Sequence, residues 1–384
     1  LPEGFGVQSQ QDPDILFMNQ ISKFLQSRID EGDFPSAVYL VAEKGEVKLQ
    51  DALGFAVVEP EKTEAKIDTI YDLASLTKVL VTGLLCAKLI ENGQLNLSDK
   101  LTEYFPEFDT DEKKEITILN LMTHSSGFKG WLPFYLISEL KSQIAKIIAS
   151  EELLNPINKK VVYSDLNFLV LGNVIEKIHG KTLDEVYHKI ICESLNLQNT
   201  FFNPPKKLLN KIAASEKGNA FEKQTCLDLG YQISNKISLF RNQTIWGEVH
   251  DNNCYFMNGV AGHAGLFSNA FEVFKIARQF LAQSTTILKP ETCQLFRTNF
   301  TPNLNQARSL AFQLAETEDS TASEALSKDS FGHLGFTGTS IWIEPSRERI
   351  FILLTNRTHH RELPLADLKE IRQTFHRMAS DILG

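Results

Sequence analysis

Residues 71–86 read YDLASLTKVLVTGLLC. From Leu76 onward the stretch has the apolar density of a buried helix, yet Lys78 stands one turn inside it, and lysine is almost never fully buried without a partner. Ser75 falls where that helix begins, at the positive end of its dipole, where a developing alkoxide is favoured. Lys78 follows on the same face, within reach of the hydroxyl. A serine hydroxyl is a poor nucleophile until a neighbouring base takes its proton, and desolvation lowers a lysine's pKa toward that role. The other reading keeps Ser75 as a helix N-cap and lets Lys78 snorkel to water; this stretch alone supports both. Ser-x-x-Lys is a weak signal by itself, with about one or two chance matches expected in a chain of this size. Ser126/Lys129 falls in a loop at Gly127, and Ser138/Lys141 falls in a predicted helix, on its solvated face.

Upstream, Pro13 and Asp14 lead into an amphipathic helix with Phe17, Ile21, Phe24, Leu25 and Ile29 on one face, closed by Gly32. A hairpin follows, 37–42 and 46–53, with Lys44-Gly45 at its turn and Val47 and Leu49 sharing a face by alternation. Downstream, helical patterns cover 116–123, 134–149, 165–178 and 183–195. Periodicity then weakens from Phe201 to Gly265, long enough for functional loops over a site. After a helical segment at 271–281, a strand pair at 339–343 and 350–355 precedes a closing amphipathic helix. The Ser- and Glu-rich run from Glu316 to Ser330 reads as an exposed loop. Strands at both ends with helices between predict an α/β (α+β) architecture: an antiparallel sheet flanked by the terminal helices. Residues 1–72 and 266–384 would form the sheet domain and 73–265 an inserted, mainly helical one, with the active site between them.

The 384 residues, 42% hydrophobic and 23% charged with net charge −9, suit a globular protein with a substantial core. Scattered Lys and Arg leave no basic footprint for nucleic acid, and no apolar run reaches membrane-spanning length. Five cysteines without C-x-x-C spacing report neither a disulfide framework nor a metal site. The chain begins at Leu1 rather than methionine, the expectation being that an N-terminal segment was removed.

Two further segments fall in order behind Ser75 and Lys78: VVYSDLNFLVLG, carrying Tyr163, and FGHLGFTGTSIWIEP, carrying His333, Gly335 and Phe336. Ser-x-x-Lys, Tyr-x-Asx and a basic residue-x-Gly in this order resemble the serine β-lactamase and penicillin-binding protein superfamily, and most closely its class C branch with its D-alanyl-D-alanine carboxypeptidases and esterases. LMTHSSGF at 121–128 extends the likeness over most of the chain. GEVHDNNCYFMNGVAGHAGLFS and LLTNRTHH are similar to a bacterial subgroup, some of whose members recycle cell-wall muropeptides, an N-acetylmuramoyl-L-alanine amidase among them.

The resemblance implies a β-lactamase/transpeptidase-like fold and a serine hydrolase working through an acyl-enzyme on Ser75. Lys78 is its partner, and Tyr163 acts as base toward Ser75 or as acid toward the leaving group. The oxyanion hole falls to the backbone N–H groups of Ser75 and Phe336, with Gly335 admitting substrate close to the strand. Asp165 stands where much of the superfamily has asparagine; it accepts but cannot donate to a substrate carbonyl, and pairing with Lys78 would keep that lysine charged and shift the base role to Tyr163. His333 stands where lysine is frequent; titrating near neutrality, it would lose its help to an anionic substrate as pH rises. Leu334 removes a hydroxyl that would meet a substrate carboxylate. His250, Asp251 and His263 either line the pocket or hold the central loop together.

No zinc-like histidine pair or G-x-G-x-x-G appears, so no metal or cofactor is expected. The expected substrate is a small molecule of ester, amide or peptide type derived from peptidoglycan, and the expected compartment periplasmic or secreted, with the cytoplasm as the alternative. Against this stand a penicillin-binding-like sensor or binding protein without turnover and a class C-type β-lactamase.

Overall fold

In this computed structural model the described residues are 13–384, with side chains from Gln20 onward; the side chain of Phe17, assigned above to the inner face of the first helix, lies outside them. Seven antiparallel strands make the main sheet: β1 (Ser36–Glu43), β2 (Glu46–Val57), β3 (Thr63–Glu64), β7 (Gln313–Leu314), β8 (Phe331–Leu334), β9 (Ser340–Glu344) and β10 (Arg349–Thr355), in the order β3-β2-β1-β10-β9-β8-β7. Three short strands, β4 (Tyr71–Asp72), β5 (Phe201–Phe202) and β6 (Leu266–Ser268), form a second sheet ordered β4-β6-β5.

Successive side chains on a strand point to opposite faces, and here both faces are buried. Tyr39 and Val41 of β1, Trp342 of β9 and Phe351 and Leu353 of β10 pack with Ile21 and Leu25 of the first helix (Pro13–Asp30) and Ile371 and Phe375 of the last (Lys369–Leu383). Their neighbours Val38, Leu40, Ile341, Ile343, Ile350, Ile352 and Leu354 face the helical body in a second cluster. The terminal helices therefore flank the sheet as expected. Val47 and Leu49 do not share a face, because the register shifts between Val41 and Ala42: Val41 pairs with Leu49 but Ala42 with Val47, leaving Lys48 as the extra residue of a bulge.

Three other local expectations are corrected. The pattern at 134–149 is not one helix: it breaks into Phe134–Ile137 and Ile144–Ser150 around a short 3₁₀ turn. Ser138, far from lying inside a helix, is extended, and its hydroxyl donates to Leu140 O at 2.9 Å. The run 316–330 is not simply exposed. Ala322 and Leu326 are buried against the terminal-helix face of the sheet, and Thr321 accepts from Trp342 Nε1 at 3.1 Å. Finally, the weakly periodic stretch 201–265 holds the helices Ala220–Asp228 and Asn252–Phe256, and Phe221, Glu222, Thr225, His250 and Asp251 from it line a cavity with Ser75.

Candidate active site

The segment before Ser75 is fixed from two sides. Asp72 pairs with Phe267 across β4 and β6, while its carboxylate accepts from the Ala74 and His250 amides at 2.8 and 2.7 Å. Ala74 is then turned into the left-handed region, φ +46°, a costly conformation for a residue with a Cβ that is typical of functional sites. Ser75 emerges at the start of the helix. Its hydroxyl does not cap that helix; it meets Lys78 Nζ at 2.9 Å. The geometry follows from the backbone: Lys78 N–H donates to Ser75 O at 3.0 Å, an i to i−3 bond that eclipses the two side chains. The helix then widens into a π-helical stretch, Lys78–Gly83, before the α-helix Leu84–Glu91.

Lys78 is 0% exposed and does not snorkel. Its ammonium meets Asp165 Oδ1 at 2.7 Å and donates to His263 O at 3.0 Å. Burial alone would lower its pKa, the sequence-based expectation, but Asp165, seconded by Tyr163, outweighs burial and raises it. The His263 carbonyl reaches this point because Gly262 passes tightly over the helix Asp165–His179; a Cβ there would lie 2.1 Å from Phe168 O.

Tyr163 precedes that helix in an extended segment. The LMTHSSGF residues hold it: Ser164 N–H donates to His124 Nδ1 at 3.1 Å, the His124 ring lies 4.7 Å from the Tyr163 ring, and Ser126 Oγ donates to Asn167 Oδ1 at 2.6 Å. Ser126 is thus a structural residue. Tyr163 is 37% exposed, along the cavity, and Lys78 Nζ lies 5.1 Å from its ring centre. Burial raises the phenol's pKa despite the opposing pull of Lys78.

The third segment arrives on the β8–β9 turn. Thr337 and Thr339 hydroxyls donate to the carbonyls of Asp72 and Leu73 at 2.7 and 3.1 Å, stitching this turn to the strand before Ser75. Gly335 is needed at this seam. A Cβ on it would lie 2.6 Å from Leu73 O and 2.0 Å from Thr339 Oγ1, so within the chain its close approach is to Leu73. Arg357 Nε donates to Phe336 O at 2.8 Å, and Arg372 donates to Thr339 O at 3.2 Å. Ser75 and Phe336 thereby line one cavity of about 540 Å³, together with Tyr163, Asp165, His250, Asp251, His333 and Gly335.

His333 corrects another expectation. It is buried beside Lys78 and Arg308, and burial followed by those two charges holds its pKa well below the ordinary value, so it is neutral rather than titrating near pH 7. His263 does not line the cavity; it stands one layer behind, its Nε2 3.1 Å from Asp251. Asp251 also caps the helix Asn252–Phe256 by accepting from Cys254 N at 2.7 Å, so the pair braces the loop while Asp251 alone of the two lines the cavity. His250 stacks on Phe336 at 5.4 Å and faces Glu216 at 2.9 Å. Burial opposes its charge, but Glu216 raises its pKa.

Asp165, Asp251 and His263 offer ligand atoms within 4.8 Å of one another. A cation there would compete with the Lys78 ammonium that Asp165 already holds, so these residues fit a lysine-centred network better than a metal. Three charged cavity residues carried no signal in the sequence, Glu222, Arg308 and Arg372, while Arg357 fell within the LLTNRTHH segment without a role of its own. Burial, with Asp251 nearby, pushes Glu222 up to about 8, so near neutral pH it presents a protonated carboxyl.

This constellation sits on a chain that a family model described as Beta-lactamase matches over residues 21–374. A putative D-alanyl-D-alanine carboxypeptidase of Escherichia coli (strain K12) is 30% identical over 378 residues, covering 91% of this chain and 84% of the relative. An N-acetylmuramyl-L-alanine amidase of Bacillus subtilis (strain 168) is 27% identical over 387 residues, covering 93% and 84%. Among solved structures, a class C β-lactamase superposes with TM-score 0.74 at 13% identity, covering 97% of this chain and 99% of its own. EstCE1, a hydrolase with promiscuous acyltransferase activity, gives 0.72 at 19%, covering 97% and 98%. The chain belongs to the Beta-lactamase family and is a hydrolase of the serine β-lactamase and penicillin-binding protein type.

Proposed function

We propose that this hydrolase acts through an acyl-enzyme on Ser75 and cleaves an amide or peptide bond of cell-wall origin. The observation that carries the reading is the 2.9 Å contact between Ser75 Oγ and a fully buried Lys78 at the floor of a cavity that Tyr163 also lines. In this reading the Tyr163 phenolate takes the Ser75 proton as Ser75 Oγ attacks the carbonyl, the Ser75 and Phe336 amides receive the developing oxyanion, and Tyr163 passes that proton to the amine as the C–N bond breaks; water, its proton taken by the same phenolate, then hydrolyses the Ser75 ester. Lys78, held as an ammonium, stabilises the negative charge that passes through Ser75 and Tyr163. The names of the relatives, carboxypeptidase and muramyl-alanine amidase, support a peptidoglycan-derived substrate and work at the cell envelope, in the periplasm or outside the cell.

β-Lactam hydrolysis fits less well. Asp165 offers a substrate's acylamino carbonyl no donor, and its charge is already engaged by Lys78. The test is a comparison of kcat/KM on a muramoyl-L-alanyl peptide, an acyl-D-alanyl-D-alanine peptide and a chromogenic cephalosporin, with Ser75→Ala as the control. One of the two cell-wall substrates should exceed the cephalosporin at least about tenfold, equivalent to about 1.4 kcal/mol of transition-state binding. A cephalosporin preference overturns the substrate class, and unchanged turnover in Ser75→Ala overturns the mechanism.

A further inference from the structure

Glu216 and His250 are 4% and 3% exposed, and their carboxylate and ring meet at 2.9 Å beside the cavity with no part in the Ser75 chemistry described above. A buried pair of this kind is weak grounds for stability, since apolar side chains of similar volume often serve as well. What the pair touches gives it another use. The second Glu216 oxygen accepts from the Phe221 N–H at 2.8 Å. One carboxylate therefore holds two residues, and the rings of both pack on Phe336: His250 stacked at 5.4 Å and 22°, Phe221 tilted at 4.6 Å. The Arg357 guanidinium lies 5.1 Å from the same ring centre. The peptide carrying the Phe336 N–H is planar and turns only about φ, which swings the ring. A clamped ring therefore holds the N–H in its direction.

His250 reaches the other half of the site through its backbone. Its N–H donates to Asp72 Oδ2 at 2.7 Å, and Asp72 Oδ1 accepts from the Ala74 N–H at 2.8 Å, one residue before Ser75. Arg241 Nη2 in turn donates to the His250 carbonyl at 2.6 Å. The amides of Ser75 and Phe336 come from segments far apart in sequence, and His250 links them, by its backbone to one and by its ring to the other. Oxyanion donors are effective because they are held in place before the reaction begins.

We infer that Glu216 and His250 are positioning residues for the oxyanion hole: the carboxylate clamps the His250 and Phe221 rings on Phe336, and His250 ties that clamp to the segment before Ser75. The inference rests on the acyl-enzyme reading, in which the Ser75 and Phe336 amides receive the oxyanion.

The test measures, on the full chain, hydrolysis of an aryl ester and inhibition by an arylboronic acid, whose boron bonds to the serine oxygen and becomes a tetrahedral anion. Loosened oxyanion amides weaken that anion and the transition state while leaving ground-state binding alone. His250→Gln can still donate to Glu216 but lacks the stacked ring. It should lower kcat about tenfold to a hundredfold with KM within about twofold, and raise the boronate inhibition constant about tenfold or more. His250→Phe combined with Glu216→Gln returns a ring to Phe336 without an unpaired buried carboxylate, and should recover most of both losses. Boronate binding unchanged in His250→Gln, or no recovery in the folded double variant, overturns the clamp. If His250→Gln does not fold, Phe221→Ala, which removes the other clamping ring, is read in the same way, and unchanged boronate binding there overturns it. Ser75→Ala should abolish boronate binding; if it does not, the acyl-enzyme reading itself fails, a result distinct from a boronate that needs Ser75 and ignores His250.

Discussion

At Lys78 two effects oppose each other. Burial favours the neutral amine, while Asp165 at 2.7 Å favours the ammonium, and the carboxylate wins. With Tyr163 also raised, both candidate bases hold their protons near neutral pH. The base form is therefore gained as pH rises, and kcat/KM should climb across neutrality rather than level off there. Asp165→Asn removes a negative charge that adds to burial in raising the Tyr163 pKa, so the acidic limb of the profile should move to lower pH, by about one unit. A limb that stays in place in a pH titration of the variant would show that Tyr163 does not govern it. Ser75, Lys78, Tyr163 and Asp165 were legible because their spacing is fixed by one helical turn and by one helix start. Arg308, Glu222 and Arg372 were not, because an isolated Arg or Glu reads as a solvated surface residue until the fold buries it. His333 was legible as a position but not as a charge state, since its neutrality comes first from burial and then from Lys78 and Arg308, both distant in sequence.

Among the elements, the β8–β9 turn and the helix after β4 meet where the chemistry is placed. Two threonine hydroxyls and two arginines hold the turn, and Gly335 lets it lie against Leu73. Gly335→Ala places a Cβ 2.6 Å from the Leu73 carbonyl, and the turn must shift. Overpacking of this kind costs about 1–3 kcal/mol of stability, and displacing the Phe336 amide by about 1 Å costs about a hundredfold in rate. Thermal unfolding and kcat/KM on an aryl ester measure the two together; a folded variant of wild-type activity would contradict the role given to this turn. The helix patterns and the strand pairs were legible from their periods. The π-helical stretch at Lys78–Gly83, the break at Ser138 and the bulge at Lys48 were not, because each depends on a neighbouring segment rather than on local period.

Across the whole molecule, both ends of the chain build one sheet, so that β1 lies between β2 and β10 with Tyr39 opposite Leu353. This arrangement was legible because strands appeared at both ends with helices between, and because both terminal helices carried one apolar face. The burial of 316–330 was not, since its Ser and Thr residues lie against the sheet through single hydrogen bonds such as that from Trp342. We propose the division into 1–72 with 266–384 and an inserted 73–265; Ser75 lies at the seam, with Tyr163 and the His250 loop contributed from one side and the β8–β9 turn from the other. The central claim is that this seam activates Ser75. It is tested most directly by exposing the folded protein to a serine-directed phosphonate, measuring intact mass and mapping the modified peptide, with Ser75→Ala in parallel. The account predicts one adduct, on the peptide containing Ser75, absent from the variant. An unmodified wild type, or an adduct that persists in Ser75→Ala, would contradict it.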